Sequence, residues 1–194
     1  MDKKQGSVLL NSPTDNQVME EVRDGKVEKL AILFERHHVA LYNFFLRLTA
    51  NRSVSEDLAQ DVFFRILRYR HTYRGESRFA IWMYQIGRNA HVDYLRKRKE
   101  EIPLDTQWTV PLSQEQTPAE NLEQVEEIAL LRQALAKLSL KKREILILSR
   151  FQNLKYREIA ELLGCNTGTI KAHVHRATKE LGKIYSELSG GMVS

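Results

Sequence analysis

The chain has 194 residues, 42% of them apolar and carrying a net charge of +5, which is enough apolar content for one or two small buried cores. No run approaches 18 consecutive apolar residues, and the N-terminal apolar run is far too short for a signal peptide, so the sequence predicts a soluble cytoplasmic protein without membrane insertion. The one cysteine, Cys165, excludes an internal disulfide and a multi-cysteine zinc site, and it reads as a small buried thiol.

Charge is distributed in blocks. Residues 1–99 hold 18 Lys/Arg and 12 Asp/Glu, residues 100–131 hold eight acidic residues and no Lys/Arg, and residues 132–183 hold 12 Lys/Arg and four Asp/Glu. Two basic segments flanking an acidic one imply partners that a mean charge would not show.

Residues 1–16 are polar and turn-rich, the composition of a disordered leader. After them, long segments with a 3.6-residue period predict helices, and strand-like alternation is absent. Leu30, Leu33, Leu41, Phe45 and Leu48 form one apolar stripe, beside which His37 and His38 read as core or boundary packing.

In "SEDLAQDVFFRILR", Val54, Leu58, Val62 and Ile66 recur every four residues as a buried stripe. Another face carries Asp57, Gln60, Asp61, Phe64 and Arg68. Two carboxylates beside an outward Phe suit docking on another protein, and the plain alternative is a solvated acidic turn with Phe64 buried.

The stretch "YRGESRFAIWMYQIGRNAHVDYLRKRK" comes next. A helix beginning near Arg78 puts Phe79, Trp82, Met83, Ile86, Ala90 and Tyr94 on one stripe, mostly as core. Arg88, Arg96, Lys97, Arg98 and Lys99 project elsewhere as a cationic track, with Asn89 at the edge of the stripe and a glycine-containing loop, Tyr73 to Ser77, before the helix. Cations for phosphates, with an aromatic, an amide and a flexible loop for a flipped base, are the parts that hold unpaired nucleic acid.

Periodicity lapses between Glu100 and about Ala119, where Pro103, Pro111 and Pro118 punctuate an acidic linker. The expected organisation is a leader at 1–16, a helical domain at 17–100, a linker at 101–121, a second helical domain at 122–186 and a tail at 187–194. The fold class is all-α, two small domains joined by an irregular acidic linker whose 18 or so extended residues reach at most about 60 to 65 Å.

The second domain contains "KYREIAELLGCNTGTIKAHVHRATKEL". Ala160, Gly164 and Ile170 fall at the spacing of a helix-turn-helix: a small residue where helices cross, a glycine at the turn and a branched residue in the second helix. Asn166 or Thr167 can cap that helix, and Ile170, Val174, Ala177 and Leu181 form its buried stripe. Lys171, His175, Arg176 and Lys179 make a basic outer face, suited to the acceptors and phosphates of a DNA major groove. An ordinary helical hairpin with a solvated basic face is the alternative.

With these motifs in order, the chain resembles the extracytoplasmic-function sigma factors, small two-domain initiation subunits of bacterial RNA polymerase, from about residue 16 to residue 184. The resemblance implies a non-enzymatic, cofactor-free subunit whose partners are promoter DNA and core RNA polymerase, met at the clamp helices of the largest subunit and the beta flap. An anti-sigma protein usually accompanies the family. It further implies that Asp57, Gln60 and Asp61, with Phe64 beside them, bind the polymerase. Tyr73, Arg74, Ser77, Arg88, Asn89, Arg96 and Lys97 would serve the minus-ten strand, a flipped base being captured by the 73–77 loop and Asn89. Asn166, Thr167, Thr169, Lys171, Ala172, His175, Arg176 and Lys179 would serve the minus-thirty-five duplex.

The recognition helix departs from the family's usual G-T-V-K-S-R-L-H-R-A-R, reading "GTIKAHVHRAT". Ala172, His173 and Thr178 replace a hydroxyl and two arginines, which implies a different minus-thirty-five sequence or a weaker backbone grip. His173 and His175 point about 200° apart on a helix, against a shared metal. A stand-alone helix-turn-helix regulator with an N-terminal sensing domain explains only the second half of the chain, and an enzyme lacks a nucleophile motif or phosphate-cradling loop.

Overall fold

A computed structural model describes residues 12–101 and 122–190, without the side chains of residues 100, 101 and 122–125. Eight α-helices and no strands lie within these residues, the expected all-α architecture. The 102–121 segment, including nearly all of the expected linker, and residues 1–11 lie outside the described part.

Helix α1, Asp15–Arg23, begins inside the stretch read as leader. Its cause is local: Thr14 accepts from the Gln17 amide while the Gln17 side chain accepts from the Thr14 amide, a reciprocal capping box. Val18, Met19 and Val22 then bury one face. After a short 3-10 turn, α2, Leu30–Thr49, ends at Ala50, whose φ of 52° is left-handed. Asn51 starts α3, Arg52–Tyr69, by accepting the Val54 amide at 3.0 Å. The fourth helix, α4, covers Phe79–Glu101 and packs on both. At Gly87 an added Cβ would lie 3.4 Å from Phe45 Cζ and 3.6 Å from Val62 Cγ2, ordinary contact distances that mark how closely α4 lies against both helices. Leu33, Leu41, Phe45, Val62, Ile66, Phe79 and Met83 fill the core between them.

The second domain contains α5, Leu122–Lys137, α6, Leu140–Arg150, α7, Tyr156–Leu163, and α8, Thr167–Gly190, the last running past the start expected for the tail. Ala160 is buried, and Gly164 ends α7 with φ 63°, a conformation that favours glycine. Ile170, Val174 and Ala177 close the helix-turn-helix core as expected, with Ile159 of α7 buried beside them. Cys165 is exposed, contrary to expectation, because the turn between α7 and α8 projects it outward.

The two domains pack on each other, which the sequence did not anticipate. Ile81, Tyr84, Arg88 and His91 recur on α4 at steps of three, four and three, forming a second face beside the core stripe. Tyr84 donates its hydroxyl to Gln152 Oε1, Arg88 Nε lies 3.2 Å from Glu144 Oε1, and Arg78 donates to Glu158 Oε1 at 2.8 Å. Arg47 of α2 stacks 4.4 Å over the Phe151 ring. The buried Arg143 of α6 donates to Leu48 O at 2.7 Å and also to the Ala136 and Leu138 carbonyls, so one guanidinium serves the C-terminal ends of α2 and α5.

Candidate nucleic-acid interface

On α3, the acidic face is outward. Phe64 is 70% exposed, Asp57 and Gln60 are exposed, and Leu58, Val62 and Ile66 are buried on the opposite side. The alternative with Phe64 in the core is therefore removed. Asp61 is held at 2.8 Å by Arg65 Nε, while Arg65 Nη1 donates to Asp93 of α4 at the same distance. That shared guanidinium, foremost through its hydrogen bond, holds the Asp93 carboxyl below the usual range. Sequence periodicity missed Phe34, whose exposed ring stacks on His38 at 4.8 Å and meets Phe63 edge-on at 4.9 Å. His38 is thus a boundary residue, as is His37, which pairs with Asp15 at 2.8 Å.

The loop before α4 requires a correction. Tyr73 is only 3% exposed, its ring packed 5.1 Å from Trp82 and 6.4 Å from Phe79, and its hydroxyl donates to Ser77 O at 3.4 Å. Burial pushes its pKa up to about 12. The ring lies in the core because α1 and α4 close over it, so no base stacks on it in this arrangement. Arg74 is exposed and Ser77 half-buried. Asn89 is exposed, ten residues of helix and so roughly 15 Å of rise along α4 from Phe79. Arg88 is occupied by Glu144, Arg96 pairs with Asp93 at 3.2 Å, and Lys97 is exposed.

The α8 surface is simpler. Asn166, and not Thr167, is the cap: its Oδ1 accepts the Thr169 amide at 2.7 Å and the Thr169 hydroxyl at 3.0 Å. This cap occupies the Thr169 hydroxyl. Lys171, Ala172, His175, Arg176 and Lys179 are all exposed on the face opposite Ile170, Val174 and Ala177. His173 is half-buried; desolvation first, then Arg176, Lys141 and Lys142, push its pKa down. Among the described residues no group of three or more His, Cys, Asp or Glu could hold a metal, and no helix is long and apolar enough to cross a membrane.

A further group that sequence reading missed lies between the domains: Arg47, Tyr84, Arg143, Glu144, Gln152 and Glu158. One signal was present, the excess of apolar residues on α4 over what a single stripe needs.

Known proteins share both halves. Residues 33–101 match the family model of sigma-70 region 2, and residues 128–181 match that of sigma-70 region 4. The chain is 31% identical over 153 residues to the RNA polymerase sigma factor YlaC of Bacillus subtilis, covering 78% of this chain and 88% of that one. It is 30% identical over 156 residues to the ECF RNA polymerase sigma factor SigM of the same organism, covering 79% and 93%. In fold it resembles CnrH, solved in complex with the cytosolic domain of CnrY, at a TM-score of 0.69 and 20% identity over 89% of this chain and 97% of that one. It also resembles the sigma factor RpoE of Bartonella quintana, solved with the anti-sigma factor NepR, at a TM-score of 0.62 and 24% identity over 79% and 94%. Because relatives of this kind align along most of their own length and both regions match in order, a stand-alone regulator is not favoured. The chain belongs to the extracytoplasmic-function RNA polymerase sigma factors, alternative sigma factors that direct promoter recognition and transcription initiation.

Proposed function

We propose that the three surfaces divide the work of initiation. The α3 patch of Asp57, Gln60, Asp61 and Phe64 docks on the clamp helices of the largest polymerase subunit, and the second domain engages the beta flap. The exposed α8 cations, foremost Lys171 and Arg176, enter the minus-thirty-five major groove. The 73–77 loop, Asn89 and the α4 cations receive the melted minus-ten strand. The chain acts by binding, without chemistry of its own, and works in the cytoplasm where polymerase is. An anti-sigma protein is among its partners, as it is for the RpoE relative in fold.

The observation that supports this reading best is the outward acidic patch with Phe64 70% exposed, together with two cationic helices on separate domains. Two promoter elements two helical turns apart lie about 70 Å from each other on B-DNA. Domains packed through Arg88–Glu144 and Arg78–Glu158 have to part to read both. Core binding would supply the free energy for that separation.

The test is transcription in vitro with core enzyme on a promoter library. Runoff transcripts that depend on this chain and select a two-part promoter are expected. Tight, sequence-specific duplex binding by the chain alone, with no effect on core enzyme, would overturn the reading. On the expected promoters, Asn89→Ala should impair strand opening, read by permanganate reactivity, more than closed-complex binding.

A further inference from the structure

We propose that α1 braces the loop before α4, and that Asn16 is the positioning residue of that brace. This rests on the reading of residues 73–77 as the strand-capturing loop. The region 2 match begins at residue 33, so α1 lies wholly outside it.

The Asn16 side chain bridges two backbone groups on either side of the start of α4. Its Nδ2 donates to Ser77 O at 3.0 Å, and its Oδ1 accepts the Phe79 amide at 2.8 Å. The first amides of a helix have no intrahelical acceptor, and the residue preceding Phe79 is Arg78, which has no side-chain oxygen to offer. The cap for α4 therefore comes from another helix, 63 residues earlier. An amide carries a donor and an acceptor on two atoms of one terminus, so Asn meets both demands where an ionised Asp would meet one.

The same face of α1 reaches the loop twice more. Glu20 and Arg23 follow Asn16 at four and seven residues, which places all three on one side of the helix. Arg23 Nη1 donates to Tyr73 O at 3.5 Å. Glu20 covers Gly75, whose φ of 73° suits glycine and where an added Cβ would stand 2.9 Å from Glu20 Oε1. The loop is thus held at residues 73 and 77, with the Glu20 carboxylate lying over residue 75. The helix is itself fixed by the buried Val18, Met19 and Val22 and by Asp15, which pairs with both Arg36 and His37 at 2.8 Å. A loop that is already ordered spares the base it captures the entropic cost of ordering it. Ser77 O is occupied by Asn16 and Tyr73, so the base is read by the Ser77 hydroxyl and the remaining loop backbone.

The experiment uses holoenzyme assembled with core polymerase and fluorescent single-stranded minus-ten oligonucleotides, either intact or abasic at one position in turn. Wild type is expected to prefer the intact strand at one position. Asn16→Ala should lower that preference about tenfold, the scale of lost hydrogen bonds to a buried partner. Core affinity and binding of minus-thirty-five duplex should be unchanged. Asn16→Asp keeps the acceptor for Phe79 and should lose most of the preference while unfolding near the wild-type temperature. Gly75→Ala, which leaves Asn16 in place and strains the loop backbone at its φ of 73°, should show the same loss. An undiminished preference in the Asn16 variants overturns the brace, as does a loss of core affinity that parallels the loss of strand binding. A wild-type holoenzyme with no preference at any position removes the loop reading itself, and the brace with it.

Discussion

Helices α4 and α8 both carry the cations of a nucleic-acid-binding protein, yet they present them differently. On α8, Lys171, Arg176 and Lys179 are exposed, and among the described residues no carboxylate pairs with them. On or beside α4, Arg78, Arg88 and Arg96 each have one: Glu158, Glu144 and Asp93. Two of those three carboxylates belong to the other domain. The α8 cations are therefore open to solvent in this arrangement, while three cations on or beside α4 are held by carboxylates of the same protein. Burial and charge on the α4 side are tertiary properties, whereas on the α8 side they follow from one helix alone.

The largest effect on this contrast should come from Arg143, which joins the halves from a buried position. Arg143→Ala removes donors from Leu48 O, Ala136 O and Leu138 O at two helix ends. Stability should fall by about 3 kcal/mol, the cost of leaving buried acceptors unpaired. Urea unfolding checks this, and a loss below about 1 kcal/mol would mean water serves those carbonyls equally well. The α8 surface should still bind duplex DNA at concentrations of urea where the variant remains folded.

His91 gives the same interface a pH dependence. Its ring is buried near Phe45 and Tyr94, and desolvation first, then the Arg143 charge, lower its pKa from 6.5 to about 4. The unfolded chain then binds a proton that the folded one refuses, so the stabilisation is complete above pH 6.5 and is lost as pH falls toward 4. Its size is on the order of 3 kcal/mol. His91→Gln should flatten unfolding free energy between pH 6.5 and 4 relative to wild type, while Glu144, whose pKa burial raises, contributes in the opposite sense as pH climbs above 4.5. Identical slopes for variant and wild type would place the acid sensitivity elsewhere.

The same contrast explains which parts were legible in the sequence. The stripes of α3 and α8, the outward Phe64, the Asn166 cap among its two candidates and the Ala160, Gly164 and Ile170 spacing are all properties of single helices or of one turn, and periodicity reports them directly. The α1 start was legible in principle too, since Thr14 and Gln17 stand at capping-box spacing. Tyr73 was not: whether an aromatic beside a loop faces water depends on whether α1 closes over it. Arg88 reads as a free cation until Glu144, 56 residues later, is set against it, and Asn16 gives no sign that it caps a helix begun at Phe79. Cys165 was misread because a thiol's usual burial says nothing of a turn that projects outward.

A smaller effect is expected on α8. Arg176→Ala should weaken promoter duplex binding by about 1 to 3 kcal/mol and relax one base position if the guanidinium meets a base edge. A uniform loss over all sequences with a shallower salt dependence would instead assign it to a phosphate. Lys171→Ala separates the two in the same anisotropy titration. Promoter-dependent transcription that survives Arg176→Ala unchanged would remove α8 from the groove.

The smallest effect tests whether the carboxylates hold α4 at all. Glu158 has two tasks: Oε2 accepts the Lys155 amide at 2.7 Å, which caps α7, and Oε1 accepts from Arg78. Burial pushes its pKa up, but the Lys155 amide and the Arg78 guanidinium outweigh this and hold it below the usual range. Glu158→Gln keeps an oxygen for the cap and removes the charge, so it isolates the contact between domains. Arg78 is well exposed, which limits the pair to about 0.5 kcal/mol. The equilibrium between packed and separated domains should accordingly shift toward separation by about twofold, with little change in overall unfolding. The lone, exposed Cys165 accepts one fluorophore, and Ser53→Cys on the exposed start of α3 accepts the other. Energy transfer between them should fall slightly in the variant and less so at high salt, where the pair is already screened. Transfer that is equal at all salt concentrations would leave Tyr84, Arg143 and the Arg47–Phe151 stack to hold the domains together, and Arg88 would leave Glu144 only when those contacts break.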